Sequence, residues 1–368
     1  VSAEPLVVPD PDRRRALLTG MIGVAVLAVL LILGLMWAKW LPYLAKAGTL
    51  SDTRTWSGSP IFSAAGQAGS APSVTGALRF ARDYGEAIWR ALLVALLVAA
   101  AVDALVPRNW LLAVLGRRGR GAQVLSGGLA SLPSMMCTCC TAPVAVGLRR
   151  RGTPLAASLA YWLGNPLLNP AVLVFLALVL PWPYVATRIV VGAALVFGAS
   201  ALLARLLERS PSGAASTVVA SDEGRAAVED SPRLRDLPPR YLRSLARFTL
   251  VLVPEYAVVV LALGVVSATL SDFGGLAHRL DLLAVVLAAV VATLLVIPTG
   301  GEIPVILAAL SAGAGLGMAG VLLVALPALS LPSMVMVGRA LGWRATWASA
   351  GVVLVGGLVS GALLAVLG

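Results

Sequence analysis

Apolar residues in this chain come in long unbroken stretches rather than at the spacing of a helix with one wet face. Seven of them reach the roughly 20 residues that a bilayer core demands: Ala16 to Met36, Ala87 to Val106, Leu155 to Leu180, Tyr184 to Leu207, Phe248 to Leu270, Leu316 to Val337 and Ala345 to Leu367. Two shorter runs, Ala122 to Met136 and Leu282 to Ile297, fall below that length and are ambiguous. The pattern predicts an all-α integral membrane protein. The first run exceeds the apolar core of a signal peptide, and Met36-Trp37-Ala38-Lys39 lacks the small residues of a cleavage site, so it is expected to remain as a span.

The stretches repeat. Cys137 to Val144, Gly152, Leu155, Pro166, Leu168 and Trp182 are matched without a gap, 161 residues later, by Pro298 to Val305, Gly313, Leu316, Pro327, Leu329 and Trp343. Duplicated apolar segments interrupted by Pro and Gly mark transporters whose site lies where the halves meet. With Arg13 to Arg15 placed in the cytoplasm, Lys39 to Asp83 falls outside and Arg108, Arg117, Arg118 and Arg120 fall inside. Arg149 to Arg151 stays inside only if the segment between is a re-entrant hairpin turning at the cysteines. The second hairpin, Leu282 to Leu310, then enters from the opposite side, so the repeats are inverted. The expected organisation is a cytoplasmic tail (1–15), an unpaired first span with its external loop (16–85), repeat 1 (86–207), a cytoplasmic linker (208–246) and repeat 2 (247–368). It amounts to seven spans and two re-entrant hairpins in the cytoplasmic membrane, with the N-terminus inside and the C-terminus outside.

Composition agrees: 59% of the 368 residues are hydrophobic and 12% charged. The net charge of +11 does not point to nucleic acid, because the arginines sit in short loops between spans and not among stacking aromatics. The lipid bilayer is the expected partner. The lone His278 reads as a solvated loop residue. No Gly-x-x-x-x-Gly-Lys-Ser/Thr stretch is present, so no nucleotide and no cofactor is expected.

Chemistry concentrates at the interruptions. All three cysteines, Cys137, Cys139 and Cys140, lie within four residues, which favours a thiol site over a disulfide scaffold. A short helix, Thr141 to Arg150 with Pro143 in its first turn, would aim its amides at them and favour thiolate. Cys137 and Cys139 would then form a soft metal or metalloid site; the alternative is that they pack as small hydrophobes. Glu302, at the second hairpin tip, is either a proton-coupling carboxylate at membrane depth or a carboxylate satisfied by helix amides. Glu255 is a weaker coupling candidate, as is Asp103. Asn165 and Asn169 flank prolines in a span that must break, and Ser330 with Ser333 occupies the corresponding place in the second repeat; these polar groups bind solute or tie helices together.

These residues resemble a family. Cys-x-Cys followed by Pro, the Asn-Pro pair, Gly301-Glu302-Ile303-Pro304, Lys39-Trp40-Leu41-Pro42-Tyr43 and Val106 to Gly116 are similar to the predicted permease family that includes YraQ proteins and ArsP-type methylarsenite exporters. The chain departs from its usual Cys-x-Cys-Gly by placing Cys140 at the glycine. The resemblance implies a secondary permease, not an enzyme, with a small thiophilic solute such as a trivalent organoarsenical and with protons as a candidate coupling ion. A membrane thiol oxidoreductase is the main alternative; a passive channel or a permease for another sulfur- or metal-containing solute are others.

Overall fold

The computed structural model describes residues 11–208, 234–273 and 282–367, and among them every regular element is helical. The first span comprises α1 (Pro11–Leu35), a π-turn at Met36–Trp40 and α2 (Leu41–Thr53). There follow α3 (Val74–Ala104), α4 (Arg108–Leu115), and the hairpin of α5 (Arg120–Ser131) and α6 (Thr138–Arg150). A broken span, α7 (Leu155–Leu167) and α8 (Pro170–Val179), leads to α9 (Trp182–Ala193) and α10 (Ser200–Glu208). The second half holds α11 (Leu237–Leu270), the hairpin of α12 (Leu282–Leu294) and α13 (Glu302–Ser311), a bent pair of α14 (Leu316–Ala328) and α15 (Leu331–Leu341), and α16 (Trp343–Leu367). Among the described residues, six helical segments are long and apolar enough to cross a membrane, and the α14/α15 pair, bent by 48°, makes a seventh.

Element boundaries keep the repeat. Leu155 and Leu316 begin α7 and α14, Pro170 and Leu331 begin α8 and α15, and Trp182 and Trp343 begin α9 and α16. Gly152 and Gly313 both turn with positive φ, +84° and +88°. The equivalent helices α3 and α11 lie side by side and antiparallel: Tyr241 donates to the Leu97 carbonyl near one end, while Gly264 lies against Ala77 near the other. Antiparallel mates are what inverted repeats require.

The hairpins are short. Helices of 12 and 13 residues, α5 and α6, are about 18–20 Å long, well under the ~30 Å of a bilayer core. Both feet of the first hairpin stand beside Glu208: Arg120 pairs with it at 3.2 Å, and Arg149 lies within its field. Arg151 donates to the Val106 carbonyl and Arg150 stacks over Phe248, so the basic clusters gather at one end of the helices.

Three expectations about extent need correction. The first span continues to Thr53, and Lys39 is buried inside it, because the π-turn and two hydroxyl partners accommodate the ammonium. Helix α3 starts at Val74, so the segment between the first two spans is shorter than Lys39 to Asp83; α11 likewise begins ten residues before Arg247. Charged residues in the opening turns, Arg79 to Glu86 and Arg240 to Arg247, hid both starts. His278 and most of the linker lie outside the described residues.

Candidate functional site

At the first hairpin tip, α5 tightens into a 3-10 turn at Leu132–Ser134 and the chain reverses at Met135, a non-glycine residue at φ +48°. That left-handed conformation is costly for a side-chain-bearing residue and persists only when surroundings enforce it. Helix α6 then begins at Thr138, three residues earlier than expected, with extended Cys137 as its N-cap. Pro143 therefore lies inside the helix and leaves the Cys139 carbonyl without its helical donor.

The early start gathers the thiols. Cys137 Sγ lies 3.0 Å from Cys139 Sγ and 3.2 Å from Cys140 Sγ, and the last pair is 4.0 Å apart. All three are free and buried. A centre bonded at ~2.3 Å to each sulfur needs the sulfurs roughly 3.2–3.8 Å apart, so the cluster is close to the size one soft ion or metalloid requires. Tyr84, from α3, brings its hydroxyl to 3.2 Å from Cys139 Sγ.

The second tip faces the first across a tight cleft lined by Met136, Cys137, Pro166, Thr299, Gly300 and Glu302 among others. Gly300 turns at φ +80°, where a side chain would be strained. Glu302, the first residue of α13, is 1% exposed and pairs at 2.9 Å with Arg188, which is fully buried on α9. Arg188 also donates to the carbonyls of Pro166 and Leu167, freed where α7 ends, and to that of Leu323 in α14. One guanidinium thus joins the broken helices of both repeats to the second tip. The other carboxylate oxygen of Glu302 is buried with no hydrogen-bond partner.

The amides are engaged in structure. Asn165, inside α7, accepts from Ser134 and from the Met136 N–H and donates to the Tyr161 carbonyl, anchoring the first tip. Asn169 is not on the same helix: the break at Leu168 separates them, and Asn169 caps α8 by accepting from Ala171 and Val172 N–H. Its Nδ2 remains buried without a partner. Ser330, 161 residues on, caps α15 in a capping box with Ser333, and its hydroxyl meets that of Thr138 at 3.3 Å. The start of the cysteine helix thereby touches the bent span of the other repeat. Glu255 pairs at 2.9 Å with Arg339, and Asp103 accepts from Ser244, so neither shares the cleft.

Two site residues escaped sequence reasoning. Arg188 had a legible signal, an arginine within an apolar run, since such residues face protein and find partners. Lys39 did not, because it sits at the apparent end of the first run. Only the fold shows that its ammonium contacts Tyr43 at 2.7 Å and Thr299, across the chain, at 3.1 Å.

Comparison with known proteins agrees with the expected resemblance. A family model described as a predicted permease matches residues 73–366. The chain is 36% identical over 340 residues to the UPF0718 protein YraQ of Escherichia coli (strain K12), covering 92% of this chain and 94% of that protein. No solved structure matches.

Proposed function

The chain belongs to the predicted permease family, and from that premise we propose that it is a secondary permease carrying a small thiophilic solute through the cleft between its hairpin tips. One observation carries the reading. Three free thiols, all within 4.8 Å of one another, stand at the tip of a broken membrane hairpin, and Cys137 lines the cleft.

Soft thiolates prefer soft acceptors such as Cu(I), zinc or trivalent arsenic and antimony. A trivalent organoarsenical suits the site best. Each thiol replaces one hydroxyl on arsenic, the thiol proton leaves with that hydroxyl as water, and no electron transfer is needed. Ligand exchange of this kind is reversible, so water entering the cleft from the far side releases the solute. Glu302 is the coupling residue in this scheme, and export is the direction the family resemblance favours. The arginines that follow α3, close α6 and open α11 face the cytoplasm.

Everted membrane vesicles test the reading. They are expected to accumulate phenylarsine oxide, and Cys137→Ser and Cys139→Ser are each expected to abolish uptake at normal membrane levels, since an alcohol does not replace a soft ligand. Undiminished uptake in a triple Cys→Ser variant would overturn it. A disulfide that cycles with the quinone pool would favour a thiol oxidoreductase instead.

A further inference from the structure

Lys39 belongs to neither repeat, yet it is only 6% exposed at mid-span and no carboxylate among the described residues balances its charge. Among the described residues no carboxylate lies within ion-pair distance of it; its ammonium meets only the neutral hydroxyls of Tyr43 and Thr299. Buried charges are ordinarily paired, because desolvation of an unpaired ion is very costly. The other charges at the cleft cancel, Arg188 against Glu302. Carboxylates therefore leave one cation at the cleft, Lys39, without a counter-charge among the described residues.

That charge is placed to act on solute. Thr299, which accepts its hydrogen bond, lines the cleft, and Cys137 and Cys140 lie within the electrostatic reach of the ammonium. The backbone is adapted to put it there, since the π-turn at Met36–Trp40 contains Lys39, and such turns are frequent at functional sites. Seven residues on, two helical turns along the same face, Lys46 sits 3.5 Å over Trp56. Trp56 and Phe175 in turn flank Gly300 of the second tip, so a second cation stands beside the cleft.

We propose that Lys39 is a solute-binding charge and that the preferred solute is a small anion bearing a soft, thiol-reactive atom, whose negative charge balances the buried ammonium while the soft atom meets the cysteines. The proposal rests on the thiol-site reading above and ranks its solutes: thiophiles that carry a negative charge are preferred over neutral ones such as phenylarsine oxide. It also gives the unpaired first span a purpose, that of completing the site from outside the duplication. The counter-charge has two sources, the solute or a thiolate of the cluster itself.

Methanethiosulfonates of similar size and opposite charge separate the two. Each reacts with a thiolate to form a mixed disulfide and release methanesulfinate, so labelling by the ethylsulfonate and by the ethyltrimethylammonium reagent is followed by mass spectrometry of the purified full-length protein. In the wild type, the anionic-to-cationic rate ratio is expected to exceed that of free cysteine by about tenfold or more, given charges at near-contact range in a medium of low dielectric. Lys39→Met is expected to return the ratio to the free-thiol value, and Lys39→Arg to preserve it. Equal slowing of both reagents in Lys39→Met, with an unchanged ratio, would overturn the proposal and assign Lys39 to thiolate pairing alone. A wild-type ratio at the free-thiol value would overturn it without any variant having to fold. Cysteines unreactive toward both reagents would remove the thiol site itself, and with it this inference.

Discussion

At the scale of single residues, the Arg188–Glu302 pair is the most consequential feature outside the cysteines. Removing one partner of a buried ion pair leaves an uncompensated charge and costs about 3–5 kcal/mol, whereas removing both together is far less damaging. Arg188→Met should therefore lower the melting temperature in detergent sharply, and Arg188→Met combined with Glu302→Gln should recover much of the loss. A double variant as unstable as the single one would show that the carbonyl contacts of Arg188, not the pair, dominate. Glu302→Gln alone bears on transport. It mimics the protonated carboxylate and should retain solute binding while losing acceleration by a pH gradient. Unchanged gradient dependence would assign Glu302 to structure. Cys140→Gly should be milder than either Cys137→Ser or Cys139→Ser, because it restores the family's usual glycine and leaves the closest thiol pair, Cys137 and Cys139 at 3.0 Å, to exchange with an organoarsenical.

At the scale of elements, close backbone approach and helix caps set where the tips lie. A Cβ on Gly127 of α5 would stand 2.2 Å from the Ala157 carbonyl of α7, so the hairpin and broken span touch along their backbones. Gly127→Val is expected to abolish accumulation of folded protein, while Gly121→Ala on the same helix, with nothing within 4 Å, should be harmless by fluorescence-detected size exclusion. Asn169 and Ser330 are N-caps at equivalent places in the two repeats. Losing such a cap costs about 1 kcal/mol, so Asn169→Ala and Asn169→Asp separate two roles. A cap is restored by Asp. Recovery of stability without recovery of transport in Asn169→Asp would indicate that the unpartnered amide nitrogen serves the solute.

At the scale of the whole molecule, the arrangement of ends is the testable quantity. Arg120 and Arg149 converge on Glu208, and Arg150 reaches Phe248, which places both feet of the first hairpin at one face. Single cysteines at positions 117, 150 and 339 in a cysteine-free background should all be labelled from the cytoplasmic side by a membrane-impermeant maleimide. Labelling of position 150 from the opposite side would remove the re-entrant hairpin and the inverted arrangement with it.

Much of this architecture was written locally. Run length determined the spans, because a bilayer admits only helices of sufficient apolar length, and the 161-residue offset survived into the helix boundaries at Leu155 and Leu316 and at Trp182 and Trp343. The cysteines, the broken span and the glutamate at the second tip were legible for the same reason: each breaks a local rule of an apolar helix. Partners were not legible. Glu302 read alone suggested either a titrating carboxylate or one satisfied by helix amides, and only folding brings Arg188 from 114 residues away to face it. Lys39 read as the wet end of a span until the fold set it against Thr299, 260 residues distant. Which charges pair, and which meet only neutral groups, depends on contacts between segments remote in the chain, and pattern along the chain carries no information about them.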